Sequence, residues 1–468
     1  MNSKIIQLEF NELSPTLMDK FIGEGHLLHF ARLRQESHVF MTEAAERAPY
    51  LEPWIQWVTV HTGLNYDEHG IFDLGDGHKL DKPRVWDLVG ERGGRVWICG
   101  SMNASFRKPI QGFILPDPWS TGITPYPPGE FEAFFDFVRA NVQEHTRDRM
   151  PVTRAAQLKF LTFMASHGMS IETAGVIAKQ LMNEGGGKHK WKRAIVLDRL
   201  QWDVFGRYWR KYQPQFSTFF LNSTAHFQHM YWRNMEPASF TNKPSAADQE
   251  EYHSAILFGY QQMDELVGKC LALADENTII VFASALGQQP CLKYEDTGGK
   301  VFYRPNDPEK LFRFAGMKPG GQYAPVMSEQ FRVYMDSESE AQDASAKLGA
   351  LRMDGHEIML SRQAGNEVFA GCKVFERVAP HAVVTSGTGA STKFYDLFYN
   401  CNLVKSGMHH PDGMFWVRTP EHVHTVQDGK TPLDRVAPTV LALMGVPQPS
   451  FMKAEPLLLE KPVLAAAL

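Results

Sequence analysis

The sequence predicts an α/β fold: a doubly wound, mostly parallel sheet carrying a helical insertion and a small α+β insertion. Three observations carry this. Short runs of apolar, β-branched and aromatic residues recur at 4–8, 95–99, 217–221 and 278–283, each leading into a polar or glycine-containing stretch. Helical segments lie between them, which is the strand, loop, helix rhythm of a parallel sheet. Two stretches, 131–209 and 300–380, break that rhythm with a character of their own.

Taken in order, residues 4–8 form a strand whose carboxyl end carries Glu9, Asn11 and Glu12, and a helical segment at 17–34 follows. Ligands of open α/β sheets bind at that edge, so these polar residues become candidates. Glu52-Pro53 reads as a helix start, because proline in the first turn loses no hydrogen bond and its φ is already helical. That helix runs from Trp54 to about Thr62 and is ended by Gly63. The free backbone N–H groups at its start, around residues 52–55, would suit a phosphate or sulfate.

Residues 86–91 read as a helix leading to the strand at 95–99. Proline and glycine at 110–129 predict an irregular surface loop. Residues 131–209 are helical, with an interruption at Gly185-Gly186-Gly187, and could roof the site. The strand at 217–221 leads directly into a segment with His226 and His229. A long helix at 246–274 then precedes the strand at 278–283 and its polar loop, which holds Gln288 and Gln289. Strands at 330–334 and 367–369 and a helix at 341–351 mark the α+β insertion. The core resumes at Phe415-Trp416-Val417, and a helix at 436–444 is closed by Gly445. The implied division is core at 1–130, helical insertion at 131–212, core at 213–299, α+β insertion at 300–380 and core at 381–468.

Hydrophobic content of 43% and charged content of 22% are those of a soluble globular protein. A net charge of -5 gives no reason to expect nucleic acid or an anionic membrane as partner. No apolar run approaches the ~20 residues that span a bilayer, and residues 1–13 lack a signal-peptide pattern. The five scattered cysteines, without CxxC spacing, read as reduced core residues of a cytoplasmic protein.

Thr62-Gly63 followed by His69-Gly70-Ile71 resembles the alkaline phosphatase superfamily, particularly its type I phosphodiesterase and nucleotide pyrophosphatase branch. Residues 252–287 are similar to that family's helix and strand leading into a Ser-Asp-His-Gly loop, here Ser284-Ala285-Leu286-Gly287. Residues 223–232 resemble its Asp-x-x-x-His-x-x-Trp, with Ala225 on the aspartate and His229 on the histidine. Residues 406–413 resemble its Gly-x-His-x-Pro-x-Gly, with His409 on the ligand. The matches span roughly two-thirds of the chain and imply an alkaline-phosphatase-like fold.

The resemblance also implies two metal sites. One would fall on Asn11, Pro53, Ala285 and Leu286, none of which is an anionic or imidazole ligand, and Pro53 stands on the nucleophile. The other would fall on Ala225, His229 and His409, where two imidazoles need a third ligand. His226, three residues before His229 on the same helical face, could supply it; so could Glu12, Glu9, Glu52 or His410. One zinc or other divalent metal, or none, and no organic cofactor is expected.

His229 and His409 would hold the metal or act as acid and base, with Glu12 or Glu52 completing the site. A helix-capping role fits Glu52 equally well. Asn11, Gln56, Gln288 and Gln289 could bind a polar substrate, or merely fill the space a metal has left. The expected function is an atypical, metal-assisted hydrolase or transferase acting on a phosphorylated or sulfated small molecule or sugar-like compound. The alternative is a catalytically inactive relative that binds a ligand or partner through the cleft. A metal-free enzyme using Glu and His for another reaction is the third possibility.

Overall fold

The computed structural model describes residues 3–119, 122–142, 153–185, 188–326 and 329–459. Its centre is one eight-stranded sheet built from β1 (Lys4–Phe10), β2 (His38–Glu43), β3 (Val96–Cys99), β4 (Gly112–Leu115), β5 (Phe216–Leu221), β6 (Thr278–Ser284), β7 (Asp412–Arg418) and β8 (Thr425–Pro432). The spatial order is β8-β2-β7-β6-β1-β5-β3-β4. The block β6-β1-β5-β3-β4 is parallel throughout. β7 runs antiparallel to both β6 and β2, and β8 is parallel to β2. The fold is therefore α/β around a mostly parallel sheet.

Alternation along β1 sorts the core into two layers, because successive side chains of a strand point to opposite faces. Ile6, Leu8 and Phe10 join Phe30, Phe219, Tyr260, Phe282 and Trp416 on one face. Ile5 joins Phe40, Val281, Phe415, Val440 and Leu441 on the other. Each such buried side chain contributes roughly 1.5–3 kcal/mol relative to exposure, so the sheet is a rigid platform for the loops at its carboxyl edge.

Several elements depart from the sequence reading. The segment 110–129 is not all surface loop: Gly112–Leu115 extends the sheet beside β3, with Ile114 and Leu115 buried. Gly112 has φ 147°, and a Cβ there would lie 1.9 Å from Val96 O, so glycine is what lets the two strands meet. The expected helix at 17–34 is two helices, Pro15–Gly23 and Leu28–Gln35, and the one at 246–274 divides into Ala246–Tyr252 and Ala255–Leu273. Within the glycine interruption, Gly186 and Gly187 lie outside the described residues.

Helices Glu132–Val142, Arg154–Ser166, Ile171–Asn183 and Ala194–Tyr212 cover one face of the sheet. They pack Phe131, Phe163 and Tyr208 around Trp97, which stacks on Phe131 with centroids 5.3 Å apart. A separate core of Val301, Phe331, Val333, Leu348 and Val368 builds the α+β unit. Its strand Phe398–Lys405 pairs with Lys300–Pro305, past the expected end of that insertion. Buried Arg332 fastens this unit to the main body: its guanidinium lies 3.0 Å from Glu367 and 3.3 Å from Asp76 of the loop after His69-Gly70-Ile71. All five cysteines are unpaired, and four of them are buried. No described helix is long and apolar enough to cross a membrane.

Where the helical insertion meets the core, Ser223 Oγ donates to the buried carboxylate of Asp198. Burial pushes the Asp198 pKa up to about 7, against the pull of Ser223 and Arg199. The folded state then holds this proton more tightly than the unfolded state. Stability from the site is full below the ordinary carboxylate range and falls as pH rises from about 4 to about 7. Asp198→Asn removes that slope, so its stability relative to wild type should improve by about 2 kcal/mol between pH 5 and pH 8. Urea unfolding at both pH values measures it; the same difference at each pH would contradict the assignment.

Candidate functional site

At the carboxyl end of β1 the chain turns sharply through Asn11 and Glu12, and Glu12 adopts φ 57°. A glutamate in the left-handed region costs energy, and the surroundings hold it there. Gln228 Nε2 donates to Glu12 O at 2.7 Å, Leu13 N to Ser284 Oγ at 2.9 Å, and Ser14 N to the Tyr260 hydroxyl at 2.8 Å. The result is a buried carboxylate at the sheet edge.

Four nitrogen atoms converge on that carboxylate. Glu12 Oε2 lies 2.8 Å from His229 Nε2, 3.2 Å from His409 Nε2 and 2.6 Å from Gln288 Nε2, while Asn11 Nδ2 donates to Oε1 at 2.9 Å. His229 comes from the helix Ser223–Met235. His409 and Gln288 stand opposite each other in the antiparallel ribbon of Gly407–His410 with Gly287–Pro290. Gly407 makes the approach of ribbon and helix possible, since a Cβ on it would meet Gln228 O and Gln288 Oε1 at 2.4 Å. One ligand atom each from Glu12, His229 and His409 lies within 4.8 Å of the others, the geometry of a candidate metal site.

The other nitrogen of each ring is also engaged. His229 Nδ1 is 3.0 Å from Gly407 O, and His409 Nδ1 is 2.8 Å from Leu51 O. A carbonyl only accepts, so both Nδ1 atoms carry hydrogen, and both Nε2 atoms face Glu12. Each Nε2 must then be protonated or share a cation with the carboxylate. Burial pushes Glu12 up, but the two imidazoles outweigh it and hold the carboxylate well below its ordinary range. Burial and the Lys405 ammonium push His229 down more than Glu12 lifts it. For His409, burial pushes down, but Glu12 and Glu52 together raise it. His409 is thus the readier of the two to carry charge.

The expected residues fall into three groups. Glu12, His229, His409 and Gln288 make up the cluster. Glu52 borders it, with Oε2 3.5 Å from His409 Nδ1 and its own carboxyl pushed up by burial. It is the residue preceding the helix Pro53–Thr62, yet its side chain makes no capping hydrogen bond. Asn11 supports the cluster from below: it accepts from Trp57 Nε1 at 2.8 Å and donates to Asn222 Oδ1 at 2.7 Å.

The remaining candidates stand apart. Gln56 donates to Tyr50 O at 3.2 Å, and Gln289 reaches His409 O only at 3.5 Å. His226 is not among the three clustered ligand groups. Three residues of helix leave a side chain rotated by ~60° and displaced by ~4.5 Å, and Glu12 from another element comes nearer than this helical neighbour. Glu9 is committed elsewhere, to His61 at 2.9 Å and Ser101 at 2.6 Å in a fully buried network. His410 pairs loosely with Asp412 at 3.8 Å. Sequence reasoning missed Lys405, whose charge bears on both clustered histidines; its position four residues before His409 was the available signal.

The fold and the cluster define an α/β protein with a candidate divalent-cation site at the carboxyl edge of its sheet. No protein-family model and no curated protein matches the chain. Among solved structures it is similar to phosphonoacetate hydrolase from Sinorhizobium meliloti in complex with phosphonoformate, at 11% identity over 95% of this chain and 96% of that one, with a TM-score of 0.43. It is also similar to an inactive variant of murine ectonucleotide pyrophosphatase/phosphodiesterase 5 in complex with AMP, at 10% identity over 95% and 96%, with a TM-score of 0.40. The human form of that protein is similar at 8% identity over 95% of each chain, again at 0.40. Likenesses this distant say nothing about the chemistry of this chain.

Removing the Glu12 carboxylate would leave two partly buried imidazoles without their carboxylate partner and two amides without one of their acceptors. Glu12→Ala should therefore lower stability by about 3–5 kcal/mol in chelator-treated protein. Urea unfolding tests this, and a loss below ~1 kcal/mol would show that the carboxylate does not organise the cluster.

Proposed function

We propose that this chain is a hydrolase or transferase of phosphorylated or sulfated small molecules, assisted by one divalent metal held by Glu12, His229 and His409. The observation that carries the reading is the pinning of both imidazoles: each gives Nδ1–H to a backbone carbonyl and turns Nε2 toward Glu12. Metal-binding histidines are oriented by such outer hydrogen bonds. One carboxylate and two imidazoles also form the three-ligand set that leaves a coordination position open in catalytic zinc sites. The donor set therefore fits zinc or a similar ion.

A bound metal of this kind would supply Lewis acidity and lower the pKa of water to ~7. The chain's own groups would do the rest. Asn11 and Gln288 hold the Glu12 carboxylate in place, and Gly407 O and Leu51 O hold the two rings. Glu52, raised by burial and beside His409 Nδ1, can hold or accept a proton at Oε2. In the superfamily resemblance the nucleophile falls on Pro53, whose ring has no attacking atom, so water, or the acceptor in a transfer, is the nucleophile in this reading. The other metal site of that resemblance corresponds to Asn11, Ala285 and Leu286. Here Asn11 bonds Trp57 and Asn222, and Ala285 and Leu286 are buried apolar side chains.

One observation favours the competing reading of an inactive ligand-binding protein: two amides already donate to the Glu12 carboxylate, and both imidazoles lie against it. Elemental analysis by mass spectrometry of wild type and of the His229→Ala/His409→Ala variant separates the two. About one divalent metal per chain in wild type, at least tenfold less in the variant, and metal-dependent hydrolysis of a phosphate or sulfate ester are expected. Metal-loaded wild type that hydrolyses none of a panel of phosphate monoesters, diesters and sulfate esters would favour the binding protein. Equal metal content in the two proteins would rule out this site.

A further inference from the structure

The α+β unit meets the cluster through two lysines that the reading above does not use. Lys405 closes the strand Phe398–Lys405 and pairs directly opposite Lys300, the first residue of its partner strand. Like charges opposite each other on a sheet repel. Neither ammonium has an ion-pair partner among the described residues, and both side chains are half-buried, where charge is screened less than at the surface. Lys300 is held in place by aromatic faces, its Nζ 4.1 Å from the Phe375 centroid and 5.1 Å from that of Phe302.

The lysine pair is joined to the cluster through the backbone. Ser406, next to Lys405, donates its N–H to His229 O at 2.7 Å and accepts from Cys291 N at 2.8 Å. Gly407, one residue on, accepts from His229 Nδ1. The Lys405 charge bears on His229, His409, Glu52 and Glu329, and the Lys300 charge on Glu52 and Glu329. Glu52 and Glu329 are the acids whose charges bear on the pair, and neither forms an ion pair with it among the described residues.

We propose that Lys300 and Lys405 are the oxyanion-recognition element of this site, two ammonium groups that bind the phosphate or sulfate group of the substrate beside Glu12, His229 and His409. The proposal rests on the functional reading above for the substrate class. It explains an otherwise costly arrangement: an incoming dianion relieves the repulsion of the two cations and takes the place of the missing ion pairs. Specificity for an oxyanion then comes from the α+β unit, while the metal ligands come from the end of β1, the helix Ser223–Met235 and the ribbon Gly407–His410.

The test is titration calorimetry with inorganic phosphate and with sulfate on the full chain, in wild type, Lys300→Ala/Lys405→Ala, Lys405→Gln and Lys405→Arg, each with its metal content measured. Wild type should bind one or both anions with an affinity that falls as salt rises. The double variant should lose about tenfold or more in Kd, Lys405→Gln should lose part of that, and Lys405→Arg should keep most of the binding. Far-UV circular dichroism and metal content should stay those of wild type, which excludes loss of fold. Affinity within about twofold of wild type in the double variant, or no binding of either anion by wild type, overturns the proposal. Anion binding that depends on the lysines in a protein without metal would sink the metal reading and leave this one standing; metal binding with lysine-independent anion affinity would do the reverse.

Discussion

The buried carboxylate of Glu12 is the constraint on which this site depends. A carboxylate moved out of water costs several kcal/mol unless donors surround it. Here the partners come from separate parts of the chain: Asn11 beside it, His229 on a helix, and Gln288 and His409 on the two strands of a ribbon. None of these segments can move far without exposing an unpaired charge. The same need explains why a glutamate is held at φ 57° and why Gly407 has no room for a side chain. Packing of the sheet provides the rigid edge, and the carboxylate decides how the loops above it must close.

A second polar system lies at the same edge, fully enclosed. Glu9 takes hydrogen bonds from Gln7 at 2.8 Å and Ser101 at 2.6 Å, faces His61 at 2.9 Å, and is sealed beneath Trp57 and Trp86, which flank the His61 ring. Both carboxylates belong to β1 and the turn after it, but only Glu12 meets partly exposed partners, His229 and His409, on which the Lys405 charge bears. The proposed chemistry therefore rests on Glu12, while Glu9 is enclosed in the core.

Much of the fold was legible in the sequence because the inner strands are continuous apolar runs, and such runs mark strands buried on both faces. β2 and β8 were not legible. Residues 38–43 mix His38, Thr42 and Glu43 with apolar side chains, and 425–432 is largely exposed and polar, so neither reads as a core strand. β4 was hidden by its length, four residues between Gly112 and the prolines at 116 and 118. Of the site, His229 and His409 were legible from their motifs. The third group was legible only as one of five candidates with Glu12 among them, because the sequence spacing that favoured His226 describes one helix, whereas Glu12 arrives from a strand end more than two hundred residues away. The pairing of Lys405 with Lys300 was invisible for the same reason: only the register of two strands puts them side by side.

The central claim, a cation shared by Glu12, His229 and His409, is tested most directly by X-ray absorption at the zinc edge of the zinc-loaded protein. Nitrogen and oxygen ligands at ~2.0–2.2 Å are expected, with the outer scattering of two imidazoles in wild type and of one in His409→Ala. A spectrum without imidazole scattering, one with sulfur at ~2.3 Å, or one unchanged by the substitution would contradict it.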